Sequence, residues 1–249
     1  MKNHKLLQRV ANRLNAAVRY LETPRLLSHI GHDITTDVFQ KLDQPWFHAL
    51  KIGTVLDIGA NVGQFASTMH AVIPEAVIYS FEPVPACFEQ LLHRMQRAPQ
   101  FKGFNLALGD VAGELTFEYN QFAPSSSLLK MAEAHKKEFP YTAESHTIRV
   151  NVERLDDFVI NLVTPGGLMI KIDVQGYEDR VLIGGEQTIK SAEMVLIETS
   201  FEMLYEGETL FPEVYRRMIE WGFRYVGSLG QLNSPIDGRA LQSDSLFLK

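Results

Sequence analysis

The segment Thr54-Val55-Leu56-Asp57-Ile58-Gly59-Ala60-Asn61-Val62-Gly63-Gln64-Phe65 restricts the fold more than any other stretch. An aliphatic, β-branched run ends in an acid. A glycine-punctuated turn follows, then an amphipathic stretch over about 65–73. That order predicts strand, tight loop and helix. Gly59 and Gly63 admit positive φ and close approach of a ligand to the backbone. The helix that follows offers unbonded N–H groups at its positive end. The spacing is Asp-x-Gly-x-x-x-Gly, which differs from the Gly-x-Gly-x-x-Gly of dinucleotide dehydrogenases. A second strand, Val77–Phe81, ends in Glu82-Pro83, 25 positions after Asp57. An acid at that strand tip is placed to meet the two hydroxyls of a ribose, and loop and acid together point to an adenosine-containing cofactor.

Further strand–helix units follow. A helix over 85–96, a third strand over 103–108, a fourth over 168–172 with a helix at 178–190, a fifth over 194–197 and a helix over 212–221 are expected. Phe223–Val226 and Ser245–Leu248 are expected to close the sheet as a hairpin, with extra short strands at 114–119 and 147–152. Residues 34–51 read as a helix leading into the first strand. The repeated units imply an α/β fold, a doubly wound, mostly parallel sheet covered by helices on both faces, with ligands beyond the carboxyl ends of the strands. No Gly-, Ser- or Pro-rich linker divides the chain. Residues 1–50 are taken as a helical extension and 51–249 as one α/β domain.

Composition narrows the function. The net charge of −6 argues against a general nucleic-acid binder. Cys87 is the only cysteine, so an intramolecular disulfide and a cysteine-rich zinc site are both excluded. A single cysteine fits a cytoplasmic setting. No run of 18 apolar residues reads as a transmembrane helix, and the N-terminus does not read as a secretory signal. Residues 1–30 carry six basic residues against Glu22, a net of +5, which leaves −11 for the remainder. Leu6, Val10, Leu14, Val18 and Leu21 recur at helical spacing there. A helix packed on the domain or on another copy is the first reading, and peripheral contact with a membrane surface the second.

The strand ends bring together Asp57, Glu82, Asp110, Lys171, Asp173, Gln175, Glu178 and Glu198. So many acids suit a sulfonium, an ammonium and ribose hydroxyls, and suit a triphosphate poorly; the P-loop spacing is absent. Asp173 ends the fourth strand, where it could accept a proton from a hydroxyl. Lys171, two residues earlier on the same strand face, could pair with it or orient an acceptor. Asp173, Glu178 and Glu198 are the carboxylates a divalent cation would use, but acids at a sheet rim are common and a metal is not favoured. No His-x-His or His-Glu-x-x-His spacing occurs, and His135 and His146 read as surface residues.

Taken in order and spacing, several motifs carry a family resemblance. They are Asp57-Ile-Gly-Ala-Asn-Val-Gly63, Phe81-Glu82-Pro83, Ala107-Leu-Gly-Asp110, Leu155-Asp156, Ile170-Lys-Ile-Asp-Val-Gln-Gly-Tyr-Glu178, Val181-Leu182, Gly184-Gly185, Ile197-Glu198 and Asp244-Ser-Leu-Phe247. The chain resembles the FkbM-type methyltransferases, a branch of the class I enzymes that use S-adenosylmethionine, over roughly residues 52–248. The resemblance implies a Rossmann-like seven-stranded sheet and O-methylation of a hydroxyl on a saccharide or natural product. By the same resemblance Gly59, Ala60, Asn61 and Gly63 line the cofactor loop, Glu82 holds the ribose and Ala107 lies near the adenine. Asp57 supports the loop or meets the methionine ammonium, Asp173 and Lys171 serve catalysis, and Gln175, Glu178 and Ser126 face the acceptor. The family often has Glu where this chain has Gln175, so a base or metal-ligand role there does not carry over unchanged. A nicotinamide-dependent oxidoreductase on a similar sheet and a non-catalytic cofactor-binding relative are the alternative classes. An N-methyltransferase is the nearest rival within the class, and its usual Asn-Pro-Pro-Tyr motif is absent. Homo-oligomerisation stays open.

Overall fold

The computed structural model describes residues 34–120 and 145–249, together with Arg25, Ser127–Leu129, Ala132 and Glu138. The expected N-terminal amphipathic helix lies outside the described residues. So does most of the 120–146 insert, including Ser126 and His135.

Seven strands form one sheet: β1 (Ile52–Ile58), β2 (Val77–Phe81), β3 (Phe101–Phe104), β7 (Gly167–Ile172), β8 (Met194–Ser200), β9 (Arg224–Asn233) and β10 (Ala240–Leu248). Their order across the sheet is β3-β2-β1-β7-β8-β10-β9. The first five in that order are parallel; β10 runs antiparallel between β8 and β9, so the closing hairpin supplies both the last inner strand and the edge. This is the doubly wound sheet the alternation implies. The order reverses between β1 and β7: the chain moves outward through β2 and β3 on one side, and through β8 on the other. A crevice opens beyond the carboxyl ends of two strands at such a switch point, which is where ligands of these sheets bind.

Alternation along the central strands divides the core in two. Val55, Met169 and Met194 face one side, packed with Ala66, Met69, Ile78, Phe39, Leu42 and Phe47. Leu56, Ile170 and Val195 face the other, with Val181, Leu182, Val214, Met218 and Phe247. The first side is covered by α1 (Thr36–Leu42), α2 (Pro45–His48) and α3 (Gln64–Val72), and α4 (Pro85–Met95) adds Leu91 and Met95 to it. By period two, Asp57 and Lys171 follow Val55 and Met169 onto this same side, and they are register partners across β1 and β7.

Three expected elements are divided. The helix over 34–51 is two helices because Gln44 precedes Pro45 and adopts extended backbone, φ −130° and ψ 152°. The helix over 178–190 is α6 (Glu178–Gly184) and α7 (Glu186–Lys190), interrupted at the poorly helical Gly184-Gly185 pair. The third strand ends at Phe104, because the Asn105 amide donates to the main-chain oxygens of Glu82 (2.8 Å) and Pro83 (3.0 Å) and turns the chain out of register. Its second half becomes β4 (Ala107–Leu108). That strand pairs with β6 (Ser145–Glu153), which pairs in turn with β5 (Gly113–Asn120), to make a separate three-stranded sheet. A short helix α5 (Leu155–Val159) returns the chain to β7, and α8 (Phe211–Glu220) lies between β8 and β9 in sequence.

Candidate active site at the carboxyl ends of the strands

The loop from β1 to α3 is shaped by three left-handed residues, Gly59 (φ 78°), Asn61 (φ 49°) and Gly63 (φ 85°). The amides of Gly59 and Ala60 both donate to the Phe81 carbonyl at 3.0 Å, which ties the loop to the end of β2. The Asn61 amide donates to Glu82 Oε2 and the Val84 amide to Glu82 Oε1, each at 2.8 Å. Glu82 therefore clamps two backbone segments with one carboxylate. Burial raises its pKa to about 7, although both amides and Lys171 favour the charged form. No side chain caps the start of α3. Ala107, one strand further, packs with Val84, Cys87 and Val152.

At the switch point Lys171 Nζ donates to the Gly59 carbonyl at 3.2 Å. The same ammonium lies 3.2 Å from Asp173 Oδ2, 3.5 Å from Asp57 Oδ1 and 5.5 Å from the centre of the Phe65 ring. Burial works against its charge, yet Asp173 and Asp57 outweigh it and hold the ammonium well above its ordinary pKa. Asp57 is fully buried and accepts from Ser80 Oγ at 3.2 Å. Burial raises its pKa in spite of Lys171. Asp173 is the open member, with 29% of its side chain exposed against none of Asp57's.

Beyond β7 the acids crowd. Glu198, near the end of β8, is half-buried and its pKa stands well above normal, from desolvation first and then from Asp173, Glu178 and Asp244. Its Oε2 accepts from the amides of Gln175 and Gln242, both at 2.9 Å. Glu178 starts α6 and accepts from the Val174 amide at 2.9 Å; burial lifts it to about 8. Asp244, in β10 and in register with Glu198, is also raised by burial. Among the described residues no group of three or more His, Cys, Asp or Glu could hold a metal ion.

The two raised glutamates fix the sign of a pH effect on stability. Between pH 4.5 and about 8 the folded chain keeps protons on Glu178, and up to about 7 on Glu82, that the unfolded chain has already released. Their stabilising contribution is whole below pH 4.5 and falls as pH rises through those values. Thermal unfolding at pH 5, 7 and 9 should show a falling Tm. Glu178→Gln keeps an acceptor for the Val174 amide and should recover on the order of 2 kcal/mol at the alkaline end. An unchanged pH slope in that variant would contradict this account.

The structure thus gathers Asp57, Gly59, Lys171, Asp173 and Gln175 around the switch point, with Ala60, Asn61, Gly63 and Glu82 beside it. Glu178 sits behind the following turn. Three participants carried no motif: Asn105, Tyr205 and Gln242. Gln242 stands two residues before the Asp244 motif but outside it, and no motif lies beside Tyr205.

The donor set fits an adenosyl sulfonium cofactor. Asn61 Oδ1 is shut off from solvent with no hydrogen-bond partner among the described residues. Each Glu82 oxygen holds one backbone amide and keeps a lone pair. The uncapped start of α3 offers N–H groups to a carboxylate.

Comparison with known proteins agrees. Residues 57–225 match the family described as the Methyltransferase FkbM domain. Among curated relatives, the 2-O-methyltransferase NoeI of Sinorhizobium fredii is 28% identical over 161 residues, 62% of this chain and 66% of NoeI. The hexuronic acid methyltransferase AglP of Haloferax volcanii is 28% identical over 57% of this chain and 54% of its own length. The 31-O-demethyl-FK506 methyltransferase FkbM of Streptomyces tacrolimicus is 28% identical over 53% and 59%. The chain spans between about half and two thirds of these three relatives. Since the family match covers well over half of its residues, the chain belongs to the FkbM methyltransferase domain family.

Proposed function

We propose that this methyltransferase moves the methyl group of S-adenosylmethionine to a hydroxyl on a saccharide or a similarly hydroxylated natural product. The observation that carries this reading is the state of Asp173. It is a partly exposed carboxylate at the switch point, with 29% of its side chain open to solvent, Oδ1 held by the Gln175 amide at 2.8 Å and Oδ2 near Lys171 at 3.2 Å. Each oxygen keeps a lone pair, so the fixed carboxylate can take the proton of an incoming hydroxyl. Lys171 orients that carboxylate and ties it to the loop through Gly59. Glu82 accepts from the ribose hydroxyls, and the Asn61 side chain accepts from the cofactor's ammonium. When bound, the cofactor supplies an electrophilic methyl carbon on sulfur. The residues supply position and proton removal.

The names of the relatives, a 2-O-methyltransferase and a hexuronic acid methyltransferase, support a sugar hydroxyl as acceptor. The nicotinamide reading has no structural observation in its favour. No helix among the described residues is long and apolar enough to cross a membrane. A cytoplasmic setting and any membrane or oligomer contact through the basic N-terminal segment are proposals from sequence alone.

Calorimetric titration with S-adenosylmethionine and S-adenosylhomocysteine tests the cofactor. Micromolar binding is expected, weakened about tenfold or more in Glu82→Ala, equivalent to ~1.4 kcal/mol. A folded protein that binds neither ligand overturns the reading. Transfer of labelled methyl to a panel of sugars and amines then separates O- from N-methylation.

A further inference from the structure

The turn after β7 is strained and carries an unusual load. Gln175 lies in the left-handed region at φ 56°, followed by Gly176 at φ 93°. A Cβ on Gly176 would stand 2.8 Å from Cβ of Tyr205, so the buried Tyr205 packs directly on this turn. The Gln175 side chain uses both ends of its amide. Nε2 donates to Asp173 Oδ1 at 2.8 Å and to Glu198 Oε2 at 2.9 Å, while Oε1 accepts from the Tyr205 hydroxyl at 2.8 Å. Reversing the amide would aim its oxygen at two carboxylates, so the orientation is fixed chemically. Tyr205 is secured in turn by Glu208, which accepts from the Tyr205 amide at 3.0 Å and from Ser200 Oγ at 2.9 Å. Ser127 Oγ donates to the Gln175 carbonyl at 2.5 Å, pinning the backbone beneath the side chain.

We propose that Gln175 is a positioning residue for methyl transfer: its amide, oriented by the Tyr205 hydroxyl, fixes the Asp173 carboxylate against Lys171 and joins it to Glu198 without adding charge. The proposal rests on Asp173 as the proton acceptor. The groups that face Asp173 are Lys171 on its own strand, Asp57 on β1, Glu178 on α6, Glu198 on β8, Tyr205 on the following loop and Asp244 on β10. Lys171 is the one cation among these groups. A carboxylate at position 175 would add another acid within 3 Å of two others and would have to hold a proton to stay there. An apolar side chain would leave Asp173 Oδ1 without this donor.

The titration of Asp173, read by NMR on aspartate-carboxyl-labelled protein without cofactor and assigned with Asp173→Asn, tests this directly. Gln175→Met should raise the Asp173 midpoint by about one pH unit or more, since it removes an N–H that favours the carboxylate, and Gln175→Glu should raise it as much, since the added acid competes with Asp173 for charge. Tyr205→Phe should raise it less, in the same direction. Affinity for S-adenosylmethionine should stay within about threefold in Gln175→Met, because the amide touches no residue of the cofactor loop. A merely structural turn residue would leave the midpoint alone. Midpoints within about 0.3 unit of wild type in both folded Gln175 variants overturn the proposal. If those variants do not fold, an unshifted midpoint in Tyr205→Phe overturns it. Failure of the methyl-transfer reading shows separately, as wild-type protein that binds no S-adenosylmethionine.

Discussion

Gly59→Ala is expected to lower stability by about 4 kcal/mol or more. Position 59 sits at φ 78°, where a side chain alone costs about 1–2 kcal/mol. The close approach adds the rest. A Cβ there would lie 1.9 Å from the Asp173 carbonyl oxygen and 2.8 Å from its carbon. Neither wall can move cheaply. The Asp173 amide donates to the Ile58 carbonyl at 3.0 Å, and the Gly59 amide donates to Phe81 at 3.0 Å, so relief would open the β1–β7 or β1–β2 pairing. Gly207 supplies the control. It has the same conformation, φ 79°, with nothing within 4 Å of the point a Cβ would occupy, so Gly207→Ala should lose only the conformational part. Urea unfolding of both variants, compared at unchanged m, isolates the approach term. Equal losses in the two would show that the turn does not press on Asp173.

This constraint changes the meaning of the glycine loop. From sequence, its glycines read as openings for a ligand. In the fold the space beside Gly59 is filled by the main chain of Asp173, and the freedom Gly59 supplies lets the loop proposed to hold the cofactor and the residue proposed as proton acceptor touch. The segment from Thr54 to Phe65, the strand ending in Glu82 and the position of Asp173 were legible because each depends on local periodicity and a local turn. The Glu82 clamp was less so, since its partners are backbone amides that any residue at Asn61 and Val84 would provide. Asn105, Tyr205 and Gln242 were illegible for a different reason. Their hydrogen bonds join residues that meet only once distant strands are aligned, and a lone Asn, Tyr or Gln in a loop or strand carries no period. The same holds for the three-stranded sheet. Its two longer strands were visible as short strands at 114–119 and 147–152, but the pairing of the second with Ala107–Leu108 depended on Asn105 ending β3 early.

Asp173→Asn is expected to lower kcat by about 10²- to 10⁴-fold while leaving S-adenosylmethionine affinity within about threefold. The substitution keeps one oxygen that can accept from Gln175 or Lys171, and it removes no atom from the core. Lys171 stays paired, since Asp57 and the Gly59 carbonyl remain beside it. The loop that would hold the cofactor is tied to Phe81 and Glu82, so binding should survive. What is lost is the basic lone pair at a partly exposed carboxylate of the switch point, one with 29% of its side chain open to solvent. The neighbouring acids are worse placed to replace it: Asp57 is fully buried against Lys171, and Glu198 is half-buried with its Oε2 committed to two amides. Desolvation raises the pKa of both. The measurement is single-turnover transfer of labelled methyl to whichever acceptor the panel identifies, beside calorimetry on the same sample. A variant that binds cofactor normally and keeps more than about a tenth of wild-type kcat would remove Asp173 as the proton acceptor. It would leave the hydroxyl to lose its proton to water, with the enzyme contributing position alone.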